Sequence, residues 1–473
     1  MAYRHGDRNQ LGLFPSSIDD YVAKDDPVRA YDAFVEALDF QALGIDLDED
    51  QVGPPEYDPK AMLKLLVYGY SYGVRSSRKL EREVHHNLSF IWLVGGLKPD
   101  HKTIAEYRRS HKKALRAVLT QSVRMCLRLG LVEGNTLFLD GTKIRGNASI
   151  KNTWTQERCE REMRRIEERV AAIVAESERL DAAEEGQGSL VALAKELEKE
   201  DVLKARVKEI LGGLAKGGSL NTTDRECGRF SSMQGSHAGY NGQVVVDEKH
   251  GLIVSADAVR EGNDLGQFAV QVKKAEEALG RRCETACADA GYASTEELEK
   301  IDREGVKVIV PSQRQAGKEE KGPFDKSRFR YDWEKDVYIC PEGQELVRRS
   351  RKENEIAYRI RYRKTCLRCR YYGICTTSKR GREVDRLKNE EVKERLEEQY
   401  RESTSQAIYR KRKEKAELPF GHIKRNLGVQ AFLLRGRAGA EAEMGLLTSG
   451  FNIRRMMTLL GTERLVRVLG EAG

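Results

Sequence analysis

The chain has 473 residues, with 83 Lys and Arg against 75 Asp and Glu, a net charge of +8 and 33% charged residues; that length exceeds one ordinary core and predicts roughly two to four domains, while so small a net charge makes the clustering of charge matter more than its sum. The first residues lack an apolar core of the secretory type and no apolar run is long enough to cross a bilayer, which argues against a membrane protein and predicts a soluble intracellular one. Nine cysteines without a secretion signal argue for thiols or metal ligands over a disulfide framework.

From Val28 to about Leu129 the pattern is helical, with Asp58 and Pro59 as an N-cap and first turn for the apolar stretch Ala61 to Tyr70. The segment His101 to Arg116 carries six Lys or Arg against one Glu, with Asp100 placed to start the helix. Arg108, Arg109, Lys112 and Lys113 are its candidate phosphate contacts; the competing reading is a solvated surface helix.

Leu137, Phe138 and Leu139 lead directly into Asp140. Such a short apolar run fits a core strand better than a helix, and an acid where that strand meets solvent would bind a metal without being buried unpaired. Asp140 followed by Gly141 also reads as a hairpin turn.

An insertion from residue 154 to 218 follows. Met163, Ile166, Val170, Ile173 and Leu180 keep a three-four spacing, a turn falls at 186–189, and Leu190 to Leu214 resume the pattern less regularly. These features predict an antiparallel helical hairpin, either a spacer or an arm for a second subunit. Beyond it, residues 243–247 and 252–259 read as a β-hairpin, 264–279 as a helix, 283–289 as a strand ending at Asp289, 295–304 as a helix and 306–310 as a strand.

Residues 312–405 form a second insertion containing Cys340, Cys366, Cys369 and Cys375. Four thiolates from two short loops suit a structural zinc site, which would fold a segment with little core of its own; the alternative is four unconnected thiols. Between them, Arg348 to Arg370 holds ten Lys or Arg against two acids, with Tyr358 and Tyr362 interleaved. That stretch reads as a DNA-facing strand. Glu417 then lies in a basic, helix-like segment from Tyr409 to Lys424. Pro419 disfavours helical geometry at Leu418 and would end the helix just after the acid. Residues 436–473 predict a helical segment closing over a sheet.

Asp140 in Asp-Gly-Thr-Lys, Asp289 in Ala-Asp-Ala-Gly-Tyr, and Glu417 among Tyr409, Arg412 and Lys424 resemble the Asp, Asp, Glu triad of bacterial insertion-sequence transposases. The resemblance runs over nearly the whole chain, with the motifs in the family's order. It implies an α/β, RNase H-like catalytic domain over 131–435, a mixed five-stranded sheet with flanking helices interrupted by the helical hairpin and the Cys-rich insertion. An all-α DNA-binding domain over 1–130 would precede it, and a helical segment over 436–473 would follow. It also implies DNA cleavage at element ends and strand transfer into target DNA. Two Mg2+ ions per active site, replaceable by Mn2+, would be held by Asp140, Asp289 and Glu417, with Tyr409, Arg412 and Lys424 on the DNA. The implied partners are double-stranded DNA carrying terminal inverted repeats, target DNA and a second copy of the chain in a homodimer on the ends. The implied location is the bacterial cytoplasm, on the nucleoid. A nuclease on the same fold that only hydrolyses, or a non-catalytic DNA-binding derivative, are the alternatives.

Overall fold

Aspartates start the N-terminal helices. Asp26 accepts a hydrogen bond from the backbone N–H of Val28 at 2.8 Å ahead of α1 (Pro27–Glu36), and Asp39 does the same for Ala42 at 2.9 Å in α2 (Phe40–Leu43). Asp58 caps α3 (Pro59–Ser71) through Lys60 at 2.8 Å, with Pro59 in the first turn, where its missing N–H costs nothing. Further on come α4 (Ser77–His86), α5 (Leu88–Leu93), α6 (His101–Ser110), capped by Asp100 on Thr103 at 2.7 Å, and α7 (Lys112–Arg128). The computed structural model describes residues 17–47, 56–182, 187–214, 218–232, 235–317, 322–351 and 355–471.

The chain divides into two compact units: residues 1–264, 271–283 and 413–473 form one, and 265–270 with 284–412 the other. This division differs from the expected boundaries at 130 and 435, because the N-terminal helices share a core with the end of the chain.

In the first unit, β1 (Thr136–Arg145) pairs antiparallel with β5 (Gly235–Asp247), with Asp140 opposite Val244. The other edge of β5 takes β4 (Gly228–Ser232) and then β6 (Ile253–Val259). Asp140 and Gly141 are therefore not a hairpin turn: the strand continues five residues beyond the acid. Between β1 and β4 the arm consists of α8 (Gln156–Ala182) and α9 (Gln187–Gly212), its base closed by β2 (Thr153–Thr155) against β3 (Ser219–Asn221). Cys159, Ile166, Val207 and Ile210 form its buried seam, with Trp154, Met163 and Val170 packed on them. The expected turn begins at residue 186, and 183–186 lie outside the described residues.

The helix expected to close over the sheet is α16 (Arg437–Leu460), followed by α17 (Thr462–Gly470). It packs against α3, α7 and β6, so residues 439–453 are buried all round and not only along one stripe. Its acid Glu443 is fully buried, accepting from the backbone N–H groups of Leu433 and Leu434 at 2.6 Å each and from Arg75 at 3.2 Å. Burial pushes its carboxyl up against these bonds.

The second unit pairs β7 (Thr285–Cys287) in parallel with β8 (Lys307–Ile309), while α11 (Thr295–Asp302) packs on β8. A short α12 (Gln313–Ala316) leads to a five-stranded antiparallel sheet in the order β13-β12-β11-β10-β9. Its strands are β9 (Arg330–Asp332), β10 (Val337–Ile339), β11 (Glu345–Arg351), β12 (Glu355–Ile360) and β13 (Glu383–Leu387). Phe329, Tyr338, Leu346, Tyr358, Ile360 and Val384 make its core. The basic stretch from Arg348 is thus not one strand: it runs up β11, returns along β12 and enters the short α13 (Arg363–Leu367). After α14 (Glu390–Arg401), α15 (Ser403–Gly421) passes through Pro419 and continues into a π-helical segment, His422–Asn426. The expected stop after Glu417 is absent; the wider turn that follows is a known way to accommodate a break in the α-helical hydrogen-bond ladder. The linking helix α10 (Phe268–Leu279) follows β6. Together these elements make the chain mixed α/β. Among the described residues no helix is long and apolar enough to cross a membrane.

Candidate active site

Along β1, Leu137, Phe138 and Leu139 are fully buried and exposure begins at Asp140. The carboxylate thus stands where the strand leaves the core, although the strand itself goes on. One of its oxygens accepts from the N–H of Gly141 at 2.9 Å. Thr142, two residues along, shares its face of the strand. The Lys424 ammonium is hydrogen-bonded to the Thr142 hydroxyl. Half-burial depresses the lysine's pKa, and the nearby charge of Asp140 opposes that shift. Asp140, Thr142 and Lys424 are therefore one cluster within the first unit. Thr142 was missed in the sequence; the available signal was its two-residue spacing from the acid.

Asp289 lies just past the end of β7, capping a 3-10 turn (Ala290–Tyr292) by accepting from Gly291 at 2.8 Å. Parallel strands leave the ends of their backbone ladder open in this way, and a half-exposed acid there needs no buried partner. Tyr409 and Arg412 of α15 belong to the same unit and the same neighbourhood. Burial raises the Tyr409 hydroxyl, with Arg412 opposing and Tyr400 and Asp289 reinforcing. Burial likewise pushes the Cys287 thiol up to about 12, against Arg412 and with Asp289. The Arg412 guanidinium lies 5.6 Å from the Tyr409 ring centre, and Tyr400 meets the same ring edge-on at 5.1 Å. Arg412 is only 9% exposed, so the rest of the protein fixes where its charge stands.

Glu417 is exposed on α15, as is Glu414 one turn earlier. Among the described residues no group of three or more His, Cys, Asp or Glu is disposed to hold a metal ion. The four cysteines of the second insertion are all free thiols that line one small cavity of about 40 Å3. Burial raises Cys375, opposed by Arg382 and reinforced by Cys366, Cys340 and Cys369. Backbone N–H groups of Gln344 and Arg382 point at the sulfurs of Cys340 and Cys366, each at 3.3 Å.

The basic face of α6 and α7 is smaller than its sequence suggests. Arg108 is buried, donating to the Tyr70 hydroxyl at 3.1 Å, the Arg75 carbonyl at 2.8 Å and Ser77 at 3.2 Å. Burial and those three acceptors make it a fixed part of the helical core and remove it from any phosphate-facing surface. Arg109 is exposed but bonded to Glu106 at 2.7 and 3.0 Å. Lys113 is exposed and Lys112 half-exposed.

Two family models match the chain: a transposase domain, DUF772, over residues 16–110, and a transposase DDE domain over 339–457. A chain carrying both is a DNA transposase. The second match is to the DDE domain of transposases, and neither match spans half of the chain. The DDE match includes the four cysteines, Tyr409, Arg412, Glu417 and Lys424, whereas Asp140 and Asp289 lie between the two matches. No curated protein matches the chain. A solved structure of a piggyBac transposase synaptic complex with hairpin DNA matches with a TM-score of 0.33 and 9% identity, over 94% of this chain and 79% of that one.

Proposed function

We propose that this transposase cleaves DNA at the ends of its element and transfers the freed strand into target DNA, using Asp140, Asp289 and Glu417 on an RNase H-like framework. The observation that carries the reading is the company each aspartate keeps within its own unit: Asp140 stands with Lys424, and Asp289 with Tyr409 and Arg412. The basic members of the third motif thus accompany the first two acids. The element order from β1 through β5, β6, α10, β7, α11 and β8 supports the framework.

The three carboxylates offer the hard oxygen donors that magnesium takes, and both aspartates are part-exposed. Two such ions, with manganese able to substitute, would supply charge stabilisation to the attacking and leaving oxygens of an in-line displacement. Lys424 and Arg412 would neutralise phosphate oxygens beside the scissile bond. Tyr409, its ring held by Tyr400, would meet the DNA backbone. Water would add to phosphorus as the P–O3′ bond breaks, leaving a 5′-phosphate and a free 3′-hydroxyl; that hydroxyl would then attack a target phosphodiester, forming a new P–O bond as the target's own P–O3′ bond breaks and its 3′-oxygen leaves as a hydroxyl. Double-stranded DNA is the partner, acting at the bacterial nucleoid, and two copies of the chain would hold two ends.

The test uses duplexes ending in the inverted repeats that flank the coding sequence, pre-cut to expose the 3′-hydroxyl, and a supercoiled plasmid. Joined product that requires Mg2+ or Mn2+ is expected. Nicking without joining would replace the reading with a hydrolytic nuclease, and binding without nicking would leave only a DNA-binding protein.

We also propose that Cys340, Cys366, Cys369 and Cys375, whose present arrangement is not disposed to hold a metal ion, draw together around one structural zinc when it binds. Support comes from four thiols around one cavity and two N–H groups aimed at sulfur, the outer bonds that orient thiolate ligands. Elemental analysis should find one zinc per chain, lost in Cys366→Ser, Cys369→Ser; full zinc in that double variant rejects the site.

A further inference from the structure

Where α15 passes into its π-helical segment, the first unit carries a groove of about 310 Å3 whose walls include Leu418, His422, Arg425, Phe451, Arg454 and Arg455. Among the described residues no acidic side chain lines it. Arg454 donates through Nε to the Ser71 carbonyl at 3.1 Å, and its guanidinium lies 4.3 Å from the Tyr72 ring centre. Arg455 donates through Nε to the His250 carbonyl at 2.9 Å. Both side chains are half-buried, and Arg425 is exposed. Nε thus holds Arg454 and Arg455 still, which leaves their terminal nitrogens as forks.

Three like charges around one groove without a carboxylate repel one another, and partial burial weakens the water screening that would relieve them. An anion removes that cost, and an arginine fork fits a phosphate with two parallel hydrogen bonds. The remaining walls narrow the choice of anion. His422 is held toward its neutral form by burial and by Arg454, and its ring stands edge-on to Phe451 at 5.7 Å. Leu418 is 47% exposed, an apolar side chain at the mouth. Charged forks beside apolar and aromatic surface suit a chain that alternates phosphate with sugar and base.

We propose that this groove binds the sugar–phosphate backbone of a DNA strand, with Arg425, Arg454 and Arg455 on successive phosphates. Leu418 directly follows Glu417, so a strand held here runs past the third acid; the inference rests on the transposase reading above. It assigns DNA contact to the end of α15 and to α16, which the basic tracts at 101–116 and 348–370 do not include.

The test measures duplex affinity of the full chain by fluorescence anisotropy across a salt series. Arg425→Gln removes an exposed side chain and should leave folding intact while reducing the log-log salt slope by about 0.9. Arg425→Gln, Arg455→Gln should reduce it by about twice that and weaken binding at low salt by at least ~10-fold. Unchanged slope and affinity in both variants, with wild type binding DNA, would overturn the groove alone. If wild type itself binds no DNA, the transposase reading fails with it. Inorganic phosphate is compared with chloride at matched ionic strength on wild type and Arg425→Gln. Stronger competition by phosphate than by chloride, weakened in Arg425→Gln together with duplex affinity, supports the strand site; equal competition by the two salts, or a variant that loses phosphate binding but keeps full duplex affinity and so shows a free-phosphate site, overturns the proposal.

Discussion

Glu414 and Glu417 sit three residues apart on α15, share a face and are both exposed. Burial therefore does not separate a metal carboxylate from a surface one here; their neighbours do. Glu414 lies among Lys411, Arg412, Lys413 and Lys415, where a local ion pair is worth roughly 0–1 kcal/mol. Glu417 is followed at seven residues by Lys424, whose ammonium is bonded beside Asp140. Losing a metal carboxylate removes transition-state stabilisation, and each 1.36 kcal/mol is about tenfold in rate. Glu417→Gln is expected to abolish strand cleavage while DNA binding and thermal melting stay near wild type, and Glu414→Gln to keep most activity. The reverse pattern in a cleavage assay would move the third acid by one turn and remove Lys424 from its assigned role.

At the scale of elements, α16 owes its central position to two glycines. A Cβ at Gly445 would stand 2.7 Å from the Leu115 carbonyl oxygen and 2.8 Å from the Arg116 Cα, both backbone atoms of α7. One at Gly450 would meet Ser71 of α3 at 3.0 Å. Alanine would favour the helix by about 1 kcal/mol, but prising two packed helices apart costs about 1–3 kcal/mol. The backbone contact decides: Gly445→Ala should lower the melting temperature, and a rise would show that α7 gives way freely. Nothing in the local pattern around Gly445 announces this contact, since its partner lies more than three hundred residues earlier. Legibility elsewhere follows the same rule. The arm was readable because its seam is a periodic pattern within one segment, and so was Asp289 at the end of a buried run. The extent of β1 was not, because pairing with β5 overrides the turn preference of Asp140 and Gly141. Arg108 read as surface because its acceptors, Tyr70, the Arg75 carbonyl and Ser77, belong to other elements. The groove arginines escaped notice for a related reason: only the fold sets Arg425 opposite Arg454 and Arg455.

For the whole molecule, the charge available to DNA is smaller than the basic tracts suggest. Of the ten basic residues from 348 to 370, Arg348 faces Asp336 at 3.5 Å, Arg361 faces Glu345 and Arg370 faces Glu342 at 3.2 Å, and Arg359 is paired with Glu383. In the tract from 101 to 116, Arg108 is buried, Arg109 is paired with Glu106 and Arg116 with Glu441 at 2.7 Å. A phosphate reaching any of these cations must displace a carboxylate, so little counterion release accompanies the contact. Each phosphate met by an unpaired cation instead steepens the salt dependence by about 0.9. Affinity for DNA should therefore fall steeply with salt, but with a slope set by the unpaired set. Lys112→Gln, Lys113→Gln should flatten it by about 0.9 for each phosphate that these lysines neutralise. Arg359→Gln, Arg361→Gln should barely change it, and Arg108→Gln should register as a lower melting temperature. A salt titration in which the paired arginines carry the slope and Lys112 and Lys113 do not would show that DNA breaks these ion pairs on binding, and would return the Cys-rich sheet to the centre of the DNA interface.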